Sequence, residues 1–341
     1  MNLPIGSELI SQIAASLDFR LDNFGSLKSG AGDAEIYHSF VQLAQQARVS
    51  NSQATNLNPY FKASRHISDA MPLAPSIDNF INSHQSNQMI ATCGKLAIAS
   101  CILKAESRSS LYIDPSNSYN KMKIKNSTPH WFNAFFQKLT TDCRISDLEE
   151  RLKKISIISF NYDRCIEHYL FHTLQIYYEI SREEAATALT HLDIYHPYGT
   201  VGKLPWQSQK DGIEFGATPH TAQLIAVSKQ IQTFTEGIDE SKSDILNIRE
   251  TVANAQRIAF LGFAFHPLNL KLLFSDMKYS ASDFHQNSIY ATAHGISLSD
   301  IQHIKSELVR VAGFQDSSIH LRSNLMCSQI FYEYSRGLAL S

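Results

Sequence analysis

Three short apolar runs in this chain each stop at a polar or glycine-bearing turn that leads towards a helix. Ile155-Ser156-Ile157-Ile158 ends in Ser159-Phe160-Asn161-Tyr162-Asp163, and Arg164 to Leu174 then has helical spacing. Leu192-Asp193-Ile194-Tyr195 ends in His196-Pro197-Tyr198-Gly199. Arg257-Ile258-Ala259-Phe260-Leu261 ends in Gly262-Phe263-Ala264-Phe265-His266-Pro267-Leu268-Asn269. Strand-length runs alternating with helices predict a parallel sheet covered by helices. Ligands of open parallel sheets bind outside the carboxyl ends of the strands. Three such ends with polar turns therefore predict one shared pocket.

The 341 residues exceed one average domain yet fit a single large α/β unit with an insertion. With 43% hydrophobic and 18% charged residues, the chain has the makings of a substantial core. A formal charge of -2 gives no global attraction to nucleic acid or anionic membrane. The basic run Arg151-Leu152-Lys153-Lys154 reads as a solvated helix end. Cys93, Cys101, Cys143, Cys165 and Cys327 form no C-x-x-C pair, and no secretory segment stands at the start. These features predict a reduced cytoplasmic setting, buried thiols and no zinc ribbon. No apolar run approaches the roughly 18 residues needed to span a bilayer.

Along the chain, residues 9–17 have helical spacing with Ser7 as the expected N-cap, residues 20–34 read as a loop, and 34–49 as a second helix. Residues 50–75, with their prolines, read as a long irregular connection. Ser76 caps a helix beginning at Ile77, and residues 89–107 are apolar on most faces, as in a buried helix. Helical character continues at 131–139 after a polar loop at 114–128. From about residue 150 strands are expected at 155–160, 192–196, 257–263 and 288–293. Helices are expected at 164–176, 182–190, 221–235, 241–254, 267–275 and 298–312. The chain thus divides into a start at 1–34, a mainly helical insertion at 35–150, and a remainder at 151–341 with a C-terminal extension.

Several residues at the turns suit chemistry. Asn161 can hold a water or a sugar hydroxyl at any pH. Asp163, in the first turn of a helix, complements its dipole; equally, both residues could simply cap the helix. His196 could act as a general base beside the Pro197-Tyr198-Gly199 turn, or serve as a hydrogen-bonded core histidine. Tyr198 could stack on a ring or donate a hydrogen bond. Gly262 permits close approach of a ligand to the backbone. His266 and Asn269 open a helix whose N–H groups suit an anion, with capping as the alternative and Pro267 in its first turn.

Taken in order, these motifs resemble the sirtuin-like (silent information regulator type) NAD-consuming proteins, and within them the zinc-less bacterial branch of antiphage defence. The matching segments are Ser159-Phe160-Asn161-Tyr162-Asp163, then His196-Pro197-Tyr198-Gly199-Thr200-Val201-Gly202, then Gly262 to Asn269. Ser76-Ile77-Asp78-Asn79-Phe80 looks like the helical-block signature of the same branch. The resemblance spans most of residues 1–295 and implies a Rossmann-like parallel sheet with the helical domain inserted. It implies catalytic roles for Asn161, positioning water or ribose hydroxyls, and for His196, the base. Binding roles follow for Asp163, Tyr198, Gly199, Gly262, Phe263, His266 and Asn269. The substrate would be NAD+, cleaved at its N-glycosidic bond to nicotinamide and an ADP-ribose product, with no zinc. A homo-oligomer or a defence-system partner protein is implied; the charge balance and the short apolar runs, for their part, argue against direct nucleic-acid contact and a membrane.

The chain departs from that pattern twice. Family members place the histidine directly before a glycine, where Tyr198 stands here. They also begin with a strand and a Gly-Ala-Gly phosphate loop before a Leu-Pro-x-Gly segment, whereas Leu3-Pro4-Ile5-Gly6 is almost the start here. No strand-like run precedes Gly30-Ala31-Gly32. The first strand is thus expected to be missing, through a start codon set too far downstream or a shortened chain; otherwise the protein is a degenerate relative. The leading expectation is an NAD+ glycohydrolase. A non-catalytic NAD- or ADP-ribose-binding or assembly module is the alternative, and a protein deacylase stands behind both.

Overall fold

The structure is a computed structural model that describes residues 6–20, 28, 30–51, 56–117, 122, 124, 130–237, 244–274 and 287–340. In chain order the helices are α1 (Gly6–Leu17), α2 (Ala34–Asn51), α3 (Asn58–Ala70), α4 (Ile77–Ser83), α5 (Gln88–Arg108), α6 (Trp131–Thr140), α7 (Leu148–Leu152), α8 (Cys165–Tyr178), α9 (Arg182–Leu189), α10 (Thr221–Ser228), α11 (Phe234–Gly237), α12 (Ile245–Asn254), α13 (Pro267–Phe274), α14 (Leu298–Ala312) and α15 (Cys327–Glu333). The strands are β1 (Ser156–Ile158), β2 (Asp193–Tyr195), β3 (Arg257–Phe260), β4 (Ser288–Thr292) and β5 (Ile319–Arg322). The α/β class expected from the alternating runs is what the chain adopts.

Two compact units are distinguished. One comprises residues 1–123, 160–168 and 198–237, the other 124–159, 169–197 and 238–341. The first is helical. Its core helix α5 starts at Asn87, whose side-chain oxygen accepts the N–H groups of Met89 at 3.1 Å and Ile90 at 3.4 Å. Residues on all sides of α5 are buried, against α1, α2, α3, α4 and α10. By length and mean hydropathy α5 could cross a bilayer, contrary to the expectation that no segment could. However, 67% of its most apolar window is buried inside the protein, as in a core helix.

In the second unit β1 and β2 pair in parallel, Ser156 with Asp193 and Ile158 with Tyr195. The order β3-β4-β5 forms a separate parallel sheet. Helices fill every crossover, as parallel pairing requires. Strand β4 is central and the most buried, with Ile289 and Ala291 fully enclosed. Helix α14 begins at Ser297, whose hydroxyl accepts the Asp300 N–H at 3.1 Å, and stops at Gly313, with φ at 69°. Lys153, in the basic run after α7, pairs with exposed Glu149 and Glu150 at 2.6 and 2.9 Å.

Four expectations need correction. Residues 50–75 are not an irregular connection: α3 occupies 58–70 and a 3-10 turn follows at 71–73. Buried Tyr60, Ala63, Ser64 and Ile67 have amphipathic helical spacing, and Pro59 sits in the first turn, where its missing N–H costs nothing. The helix expected at 221–235 breaks after Ser228, where the chain turns so that the Gln232 N–H reaches the Tyr198 carbonyl at 2.9 Å. Helix α1 begins at Gly6, which removes Ser7 from the cap position. Strand β5 was not anticipated at all. The segments 241–243 and 118–121, expected as helix and polar loop, lie outside the described residues.

Candidate functional site

The ends of β1 and β2 lie side by side, since Ile158 and Tyr195 are register partners and the Ser159 N–H donates to the Tyr195 carbonyl at 2.8 Å. His196, half-buried, is the next residue on β2. The turn after β1 carries Asn161, which is exposed, and then Tyr162, which is buried. Tyr162 anchors this turn at both ends of its own residue. Its hydroxyl donates to the Asp78 carboxylate in the first turn of α4, and its carbonyl accepts the Val201 N–H at 3.1 Å. Burial first, and then the neighbouring Asp78 carboxylate, push the Tyr162 phenol far above its ordinary range. Poor hydration likewise raises the Asp78 carboxyl, although the Tyr162 hydroxyl pulls the other way.

Asp163 and Arg164 complete the turn. The Asp163 carboxylate accepts the Cys165 N–H at 3.1 Å, which makes it the cap of α8. Burial raises its carboxyl, assisted by the negative charges of Glu106 and Glu167. Arg164 is 1% and Glu106 0% exposed, and they form a bidentate pair. The Arg164 Nη2 reaches Glu106 Oε2 at 2.6 Å and its Nε reaches Oε1 at 3.1 Å. The same guanidinium donates to the carbonyls of Ile213 at 2.6 Å and Glu214 at 3.1 Å, and Glu106 Oε2 also takes the Gly216 N–H at 3.0 Å. This network locks the end of α5, the start of α8 and the 213–216 segment into one piece.

Tyr198 is buried, and its ring meets Phe160 edge to face at 5.8 Å between centroids. Burial, then the negative Asp78, raise its phenol well above the ordinary value. Gly199 has φ of 73°, and a Cβ there would collide with the Gln230 carbonyl oxygen. The need for glycine at 199 is thus met by the chain's own backbone.

At the end of β3, Gly262 takes φ of 61° and donates its N–H to the Thr292 hydroxyl at 3.1 Å. Phe263 packs edge to face against buried Phe265 at 5.2 Å. His266 is exposed; its Nδ1 accepts the Leu268 N–H at 3.3 Å and its carbonyl accepts the Asn269 N–H at 2.9 Å. Through these two bonds His266 caps α13. Asn269 lies half-buried in the first turn of that helix.

Asn161, Asp163, Tyr198 and Gly199 belong to the helical unit, and His196, Gly262, Phe263, His266 and Asn269 to the sheet-bearing one. Within the helical unit the structure joins Tyr162, Asp78 and the turn carrying Tyr198. Asp78 and the Arg164–Glu106 pair are residues that the sequence did not single out for a role. Glu106, the one acid in α5 and close to its end, was the available signal: such a charge must be paired when buried. The chain gives no match to a protein-family model, to a curated protein or to a solved structure. Among the described residues no three His, Cys, Asp or Glu side chains gather as a metal site would require.

Proposed function

We propose that the chain is an NAD+ glycohydrolase of the sirtuin-like, zinc-less type, built on a Rossmann-like sheet with an inserted helical domain. In this reading it works in the cytoplasm in antiphage defence, as a homo-oligomer or with a partner protein. The reading rests on the ordered motifs. It is supported above all by one observation: Asn161 stands exposed on a turn that Tyr162 pins to Asp78. Breaking the N-glycosidic bond releases neutral nicotinamide and builds positive charge on the ribose, so positioning and electrostatics do most of the work. The Asn161 carboxamide would orient the attacking water or the ribose hydroxyls. His196 would accept the proton that the nucleophile loses. The resemblance assigns binding roles to Asp163, Tyr198 and Gly199 in the helical unit and to Gly262, Phe263, His266 and Asn269 in the sheet-bearing one.

Incubation with NAD+ and chromatography for nicotinamide tests this directly. Asn161→Ala should lower release at least about 100-fold, the scale of a lost transition-state contact, with thermal unfolding followed alongside to show that the variant is folded. Release unchanged in Asn161→Ala would sink the enzyme reading. The start of α2 favours a second reading, a non-catalytic nucleotide-binding or assembly module, because Gly30-Ala31-Gly32 is followed there by an acid that already occupies the helix end. Binding of ADP-ribose without any turnover of NAD+ would select it.

A further inference from the structure

The helical unit holds a cavity of about 420 Å3 among α2, α4, α5 and the 225–236 segment, and none of its lining residues is among those assigned above. Its charged lining is Lys95, Lys229 and Glu236, one positive charge in excess. Lys95, with a side chain 15% exposed, reaches Glu236 Oε2 at 2.7 Å and Oε1 at 3.0 Å. Those two bonds use two of its three N–H donors, and the third has no acceptor among the described residues. Glu236 is fully engaged, for its Oε2 also takes the Thr233 N–H at 2.7 Å and hydroxyl at 3.0 Å. Lys229 is exposed and makes no ion pair among the described residues. The unsatisfied charge in the cavity is therefore cationic and donating.

Two hydroxyls in the lining point to the rest of a ligand. Thr92 donates to the Gln88 carbonyl at 2.9 Å, and Ser228 to the Ile225 carbonyl at 2.9 Å. With their protons so used, both oxygens can only accept from a guest. Leu43, Ile81, Ala91 and Ile225 supply an apolar wall. The volume falls within the range of small-molecule sites.

We propose that this cavity binds a small hydroxylated anion, a phosphorylated or carboxylated sugar. Its oxyanion would meet Lys95 and Lys229, and its hydroxyls would donate to Thr92 and Ser228. Binding here is measured without NAD+, so its outcome is distinct from that of the glycohydrolase test.

Isothermal titration of the full chain with glucose 6-phosphate and with gluconate, at fixed ionic strength, tests the proposal and separates the two anion types. At least one should bind saturably, more tightly than glucose or inorganic phosphate. Lys229→Gln should weaken it about tenfold, the scale of one charge-assisted hydrogen bond. Ala91→Trp, which fills the cavity and leaves the Lys95–Glu236 pair intact, should abolish it. Lys229→Gln alters an exposed side chain and so remains decisive if Ala91→Trp does not fold. Absence of saturable binding, affinity equal to that for inorganic phosphate, or binding indifferent to Lys229→Gln would each overturn the proposal.

Discussion

Replacing Glu106 by Gln keeps its volume and removes its charge at a site with no access to water. The wild-type carboxylate accepts the backbone N–H of Arg164 at 3.0 Å, two guanidinium bonds at 3.1 and 2.6 Å, and the Gly216 N–H at 3.0 Å. A carboxamide offers one accepting oxygen and turns two donors towards groups that can only donate. At least two bonds are lost, and the buried Arg164 cation is left with the Gln oxygen and the Ile213 and Glu214 carbonyls as its acceptors. Stranding one partner of a buried pair typically costs about 3–5 kcal/mol, which is a large share of a domain's stability. The midpoint of thermal unfolding should fall by about 10 °C, given about 2–4 °C per kcal/mol for a unit of this size. Differential scanning calorimetry is the suitable assay, because two compact units need not unfold as one transition. Only the transition of the helical unit should move at first. A double variant, Glu106→Met with Arg164→Met, should lose less than the two single changes together, since no orphaned charge remains. A loss below about 1 kcal/mol for Glu106→Gln would show that water reaches the pair, and the reasoning would fail.

Two further changes probe the turns. Gly199→Ala must carry a Cβ at φ of 73° into the Gln230 carbonyl, and should cost about 2 kcal/mol or more in urea unfolding. Tyr162→Phe removes the hydroxyl from Asp78 and should cost about 1–3 kcal/mol at neutral pH. The pH dependence has a definite sign. The folded Asp78 carboxyl is raised, chiefly by burial, so the folded state holds that proton more tightly than the unfolded one. Stability therefore falls as pH rises from the ordinary carboxylate value of about 3.9 through the raised one, and stays lower above it. Tyr162→Phe takes away a contact that lowers this value, so the fall should extend to higher pH. Urea midpoints measured from pH 4 to pH 8 check this, and Asp78→Asn should flatten the profile.

The strands and their crossover helices were legible because an apolar β-branched run followed by a polar turn has few other uses in a helix-rich chain. Ile157 and Ile158 before Asn161, and Ile258 before Gly262, carried that signal. Ser76 was legible as a cap for the same kind of reason: its hydroxyl takes the Asn79 N–H at 3.1 Å, a purely local bond. Helix α3 was hidden by its polar composition, although Tyr60, Ala63 and Ile67 have the right spacing. Strand β5 was hidden because Ile319-His320-Leu321-Arg322 is short and alternating, and is held in place by pairing with β4. The break after Ser228 depends on Tyr198, some thirty residues earlier, and local pattern carries no trace of it. The partners of Arg164 were hidden likewise: Glu106 lies 58 residues away. Local chemistry is written in the sequence, and contacts across long loops are not.

The start of α2 bears on which functional reading the chain can sustain. Gly30 and Gly32, with φ of 77° and 68°, form a tight turn before the helix, as a phosphate-binding loop would. The next residue changes the outcome. Asp33 is 2% exposed at its side chain, and its Oδ1 takes the Glu35 N–H at 2.9 Å and the Ile36 N–H at 3.2 Å. Its Oδ2 takes the Ser100 hydroxyl at 2.5 Å and the Lys104 ammonium. Burial alone would raise this carboxyl; Lys104 and Ser100 outweigh it and hold the group below its ordinary value, so it stays charged. A diphosphate approaching the same helix end would meet donors already spent and a fixed negative charge beside them. Gly30-Ala31-Gly32 is therefore a self-capped helix start. In the glycohydrolase reading the diphosphate of NAD+ must be held by other N–H groups, and in the binding-module reading its weak retention is the expected consequence.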